Sequence, residues 1–199
     1  MKIWAMDPKL CKGVYDDHIA FGMKGTGHDF DHPLQAGQIA LMIAEDEYVG
    51  MLAGVAGICH NADRLWQRKL GLGKKGDVPK ELVIEMVTKW LSVESFTIKE
   101  NAAIIDAVLR HSEMNKPDDS SILVALKDAD RITCSMAENV MTAAQFHIDL
   151  PALDPKWLVS DPKANAYKDP RSVLKGLECR YDWIDEKSPV CVRLPKAKE

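Results

Sequence analysis

MLAGVAGICHNADRLW, residues 51–66, is apolar on nearly every side when drawn as a helix. It is shorter than the ~20 residues a membrane-spanning helix needs. A helix with no polar face must be surrounded by protein, so the stretch is predicted to be the central helix of an all-α bundle. His60 lies inside it. Helical steps back from His60 reach Gly57, Ala56 and Ala53, a face of small residues that leaves room for another helix, a ligand or a metal.

Caps and periodicity place the neighbouring elements. Residues 1–27 read as a lead-in with a short helical piece, and Gly22, Gly25 and Gly27 mark a loop. Asp31 can cap the next helix, with His32 and Pro33 in its first turn, where a missing amide does no harm. Ile39, Met42 and Ile43 then continue an apolar stripe toward Glu47. After the central helix comes a basic loop containing Arg68, Lys69, Gly71, Gly73, Lys74, Lys75 and Gly76, which reads either as a phosphate-binding flap or as a solvated connection. Pro79 opens a helix to Leu91, another runs from about Lys99 to His111, and 120–130 and 132–147 form two further helices or one kinked one.

Beyond Leu150 the texture changes. Pro151, Pro155, Pro162 and Pro170 space an irregular segment, Asp169 and Pro170 start a short helix to about Gly176, and 177–184 with 190–194 are predicted as a β-hairpin. The expected organisation is therefore a helical bundle over 1–150. A proline-rich extension over 151–199, with a short helix and the hairpin, packs on it.

A chain of 199 residues can bury an ample core without metal or disulfide staples. Its five cysteines, Cys11, Cys59, Cys134, Cys179 and Cys191, form no CxxC pair and read as reduced thiols. A formal charge of −4 and a pI near 5.9 argue against duplex nucleic acid as a partner, since no lysine- and arginine-rich face is concentrated anywhere. A small, diffusible substrate fits better. The opening MKIWAMDPKL lacks a signal peptide's basic and apolar regions, and no apolar run approaches ~18 residues, so the expected location is cytoplasmic, with no membrane partner.

Three histidines and an aspartate fall where a bundle would gather them: His32 at the head of one helix, His60 in the central one, His111 ending a third and Asp130 in a fourth. Asp130 follows Leu123 and Leu126 at helical spacing and lies on the inward stripe, whereas Asp128 belongs to another face. A carboxylate on a buried face needs a partner, and a cation is the most economical one. Imidazole and carboxylate ligands from several rigid elements suit a divalent metal that activates water. His28, four residues before His32, falls on the preceding loop.

The ordered segments GHDFDHPLQAGQIALMIAE, AGVAGICHNADR, VLRHSEMNKP and VALKDADRI together resemble the HD-domain superfamily of metal-dependent phosphohydrolases over about residues 28–140. The resemblance implies an all-α HD-type bundle with His32, His60 and Asp130 as ligands of a divalent ion (manganese, iron, nickel, magnesium or zinc). It puts Asn61 in the slot of the fourth ligand, where the family carries the aspartate of its His-Asp doublet. It gives His111 a pocket-lining or second-metal role, and makes Arg64 and Arg131 cations able to meet phosphate oxygens, although a surface ion pair is an equal reading for Arg64. Gln35 stands where many relatives carry arginine. Asn61 keeps the shape of aspartate without its charge, which predicts weak metal binding.

The function expected from these residues is hydrolysis of a nucleotide or small phosphate ester, with His111 or His28 transferring protons. The alternative is a degenerate module that binds a nucleotide or a partner without hydrolysis, and a third reading is an HD hydrolase or lyase acting on a non-phosphate substrate. In the hairpin, Tyr181, Trp183 and Arg193 are candidates to close the pocket or form a homodimer contact.

Overall fold

The structure is a computed structural model that describes residues 7–24, 28–73, 77–136 and 181–199, with the backbone alone at Tyr181. The described residues are helical and contain no strand. In chain order the helices are α1 (Pro8–Ala20), α2 (Asp31–Ile43), α3 (Glu47–Cys59), α4 (Ala62–Leu70), α5 (Lys80–Leu91), α6 (Ile98–Arg110), α7 (Ser121–Ser135) and the single turn α8 (Tyr181–Ile184). A 3₁₀ turn follows at Pro195–Ala197. None of the described helices is long and apolar enough to cross a membrane.

Local chemistry sets the helix starts. Asp7 accepts from the Lys9 amide ahead of Pro8, Asp46 from Val49 and Ser120 from Leu123, while Thr97 and Glu100 form a reciprocal capping box. Each cap satisfies an amide that the first turn leaves without a helical partner. Asp31 is the first residue of α2 rather than its cap, a position that Phe30 occupies without a side-chain bond.

The central helix departs from expectation in one respect. It is two helices, α3 and α4, broken at His60 and Asn61, where Asn61 takes φ −81° and ψ 9°. The Asn61 side chain makes no local capping bond there and turns instead toward His28 O. α3 buries every residue from Leu52 to Cys59, as its uniform apolarity requires. α4 is amphipathic, and Gly71 closes it in the left-handed region at φ 65°.

The small residues before His60 make room for a helix. A Cβ at Gly57 would lie 2.6 Å from Gly37 Cα and 2.7 Å from Gly37 N, so the α2 and α3 backbones touch there. Two turns earlier a Cβ at Gly50 would come within 3.0 Å of Leu41 O and 3.3 Å of Ala44 Cβ. The two helices thus run antiparallel in close contact along their length. α6 and α7 cover α3, and α5 packs on α6, α4 and α1. Asp17 ties α1 to α5 by accepting from Lys89 Nζ and Trp90 Nε1.

The C-terminal segment departs from the expected hairpin. Residues 181–184 form a helical turn, and the amides of 192–194 are taken elsewhere: Val192 N donates to Trp183 O, while Arg193 N and Leu194 N donate to Asp128 Oδ2 at 2.7 and 2.8 Å. A buried carboxylate thus takes the place of a partner strand, and Leu194 inserts between α2, α3 and α7 beside Ile39, Ala53 and Ala125. Asp119 adds a second anchor, accepting from the fully buried Lys127 and from Arg110 and Arg193. The expected helix beyond Met136, the proline-rich segment, the helix at 169–176 and residues 177–180 lie outside the described residues.

Gly57→Ala tests the helix contact. Replacing glycine by alanine inside a helix ordinarily stabilises by roughly 0.5–1 kcal/mol. Here the new methyl meets backbone, so the substitution is expected to destabilise by about 1–3 kcal/mol, read as a lowered urea midpoint. A raised midpoint would contradict the contact.

Candidate metal centre

The α2–α3 contact fixes the position of two imidazoles. His32 lies five residues before Gly37 and His60 three after Gly57, so the antiparallel pair brings both to one end of the bundle, where α7 adds Asp130. His32 Nε2 is 3.1 Å from Asp130 Oδ1 and 3.2 Å from His60 Nε2, and His60 Nε2 is 3.4 Å from the same carboxylate oxygen. Ligands about 2.1 Å from a common ion at angles of roughly 90–110° stand about 3.0–3.4 Å apart. The three atoms therefore have the spacing of a coordination shell, and two groups that share Asp130, one with His32 and Cys134 and one with His60 and His111, could hold a metal ion.

Tautomers add to this. His60 Nδ1 lies 2.6 Å from Gly57 O, and His111 Nδ1 lies 2.7 Å from Val108 O. Because a carbonyl only accepts, Nδ1 carries the hydrogen in both rings and Nε2 keeps its lone pair when the ring is neutral. Both residues sit just past a helix end, at the C-caps of α3 and α6, where the last turn offers carbonyls without helical partners. Backbone carbonyls that fix the far nitrogen in this way are the usual support of metal-binding histidines. His32 differs, for its Nδ1 is buried with no hydrogen-bond partner among the described residues.

The His60 lone pair facing a carboxylate oxygen demands positive charge between them, from a proton or a cation. Burial opposes the charged form of His60, but Asp130 outweighs it and raises the imidazole pKa. Burial likewise pushes Asp130 up, yet His32 and His60 hold its carboxyl well below the usual range. The cluster keeps one side accessible, because the Asp130 side chain is only partly covered.

The other predicted residues are placed as follows. His111 stacks edge-on to His60 with centroids 5.1 Å apart and joins His60 and Asp130 in a second candidate ligand group. His28 packs edge-on to His32 at 5.6 Å, and burial, then the Arg64 charge, lowers its pKa to about 3, so the ring is neutral. Asn61 is buried in the helix break, its Nδ2 3.5 Å from His28 O. Arg64 bonds Gln67 Oε1. Arg131 serves the C-terminal anchor instead: its guanidinium reaches Asp128, Asn115 Oδ1 and Cys191 O.

Two neighbours escaped the sequence reading. Cys134 Sγ stands 3.8 Å from Asp130 Oδ1 and completes a group with His32 and Asp130; its spacing of four from Asp130 on one helix was the available signal. His18 is buried in α1, its Nδ1 2.8 Å from Val14 O and its Nε2 without a hydrogen-bond partner among the described residues. Its spacing of four from the apolar Val14 marked the inward face of α1.

The chain matches no protein-family model, no curated protein and no solved structure.

His18 makes the acid limb of stability measurable. Burial is the main cause that lowers its pKa from 6.5 to about 4. Above pH 6.5 both states are neutral there. Below it the unfolded chain takes up a proton that the folded chain refuses, so stability falls with pH by about 2 kcal/mol at pH 5. The wild-type loss in urea-unfolding free energy from pH 7 to pH 5 is expected to exceed that of His18→Leu by about this amount. Equal losses would mean that the ring is not held neutral.

Proposed function

We propose that the chain is a metal-dependent phosphohydrolase of the HD type, acting on a nucleotide or small phosphate ester. The observation that carries this reading is the triangle of His32 Nε2, His60 Nε2 and Asp130 Oδ1, with sides of 3.1–3.4 Å. These residues would hold a divalent ion, with His111 or Cys134 within reach as a further ligand. When bound, such an ion supplies positive charge that polarises a phosphoryl oxygen and acidifies water. His28 and His111 lie beside the cluster as the candidates to transfer protons, and Arg64 can meet phosphate oxygens.

A second reading rests on Asn61. An amide in the doublet position brings no negative charge, and a chain that keeps the pocket while binding metal poorly would be a nucleotide-binding or partner-binding module.

Elemental analysis with a phosphatase screen in manganese, iron, nickel, magnesium and zinc separates the two. The hydrolase reading expects bound metal or metal-dependent turnover, and His60→Ala and Asp130→Asn are expected to abolish both. Asn61→Asp is expected to tighten metal binding about ten-fold or more. Neither metal nor turnover in any of these ions removes the hydrolase reading, and activity in Asn61→Asp alone establishes the degenerate module.

A further inference from the structure

A cavity of about 760 Å³ opens beside the histidine cluster, between the end of α1 and the outer face of α4. His28 lines it and also packs on His32, so the cavity adjoins the candidate metal centre. Besides His28 its polar lining is Arg64, Gln67 and Arg68, its apolar lining includes Phe21, Met23 and Leu72, and no carboxylate lines it among the described residues.

Arg64 and Arg68 stand one turn apart on α4 and project into the same space. No ion pair joins either guanidinium to a carboxylate among the described residues, although the chain as a whole carries a charge of −4. Across the cavity Arg68 lies beside Gly22, whose φ of 71° favours glycine: a Cβ there would stand 3.7 Å from Arg68 Nε, an ordinary contact. Lys69 lies over the rings of Phe21 and Trp66. Two guanidiniums with no carboxylate partner among the described residues offer more donors than a carboxylate's two oxygens use, and suit the three terminal oxygens of a phosphoryl group. The cavity is of a size to enclose an organic molecule of nucleotide scale, far more than one phosphate fills.

We propose that this cavity binds a second phosphoryl group, so that the preferred ligand is an organic molecule with two phosphates, one at the histidine cluster and one between Arg64 and Arg68. The apolar wall of Phe21, Met23 and Leu72 would cover its organic part. This deepens the phosphohydrolase reading, on which the role of the first phosphate rests.

Calorimetric titration of the full chain in chelator with inorganic pyrophosphate, alongside inorganic phosphate, tests the site without needing turnover. Pyrophosphate is expected to bind more tightly than phosphate and to weaken as salt rises. Arg68→Gln and Arg64→Gln are each expected to weaken it about ten-fold or more, and His60→Ala to retain it. Arg68 is exposed, so its substitution leaves folding intact, which a melting curve checks. Absence of binding, equal binding by Arg68→Gln, or loss in His60→Ala alone overturns the proposal. Pyrophosphate binding through the arginines without turnover in any metal would sink the hydrolase reading and leave the phosphate site standing.

Discussion

The contact of two glycines, Gly37 on α2 and Gly57 on α3, is the constraint on which the remaining geometry rests. With no side chain at either position the helix backbones meet, and because the helices run antiparallel, residues just before Gly37 and just after Gly57 share one end of the pair. His32 and His60 are those residues. A methyl group between the helices would separate the imidazoles by a distance that matters, since coordination tolerates errors of only about 0.2 Å.

Helix ends do the rest of the positioning. His60 and His111 each occupy a C-cap and donate Nδ1–H to a carbonyl of the last turn. One bond satisfies an otherwise unpartnered carbonyl, fixes the ring and leaves Nε2 as the outward lone pair. Fold stability and ring orientation are served by the same interaction. The electrostatic consequence is a cluster that requires a cation or a proton, since lone pairs and a carboxylate oxygen converge within 3.4 Å.

The two carboxylates of α7 divide the work. Asp130 faces the histidines, while Asp128, two residues earlier and fully buried, holds the C-terminal segment through two backbone amides and Arg131. Removing one partner from such a buried charged set costs several kcal/mol, because the others remain desolvated. Residues 191–194 are therefore held on α7 by buried charge and backbone amides, with no strand pairing among the described residues.

Much of the helical frame was legible in the sequence. The helices expected from Pro79, from about Lys99 and from 120 start within a residue or two of those positions, and the uniformly apolar run before His60 is the buried helix, because local punctuation and amphipathicity act over a few residues. The inward stripe that carries Asp130 toward His32 and His60 was legible for the same reason. Four things were not: the break at His60 and Asn61, the filling of the glycine face by α2, the use of Arg131 and Asp128 as anchors, and the convergence of Arg64, Arg68 and His28 on one cavity. Each depends on which surfaces meet across tens of residues. Local patterns state which face of an element is buried, while the distances among groups on different elements follow from close packing of whole helices, and only the tertiary structure decided those.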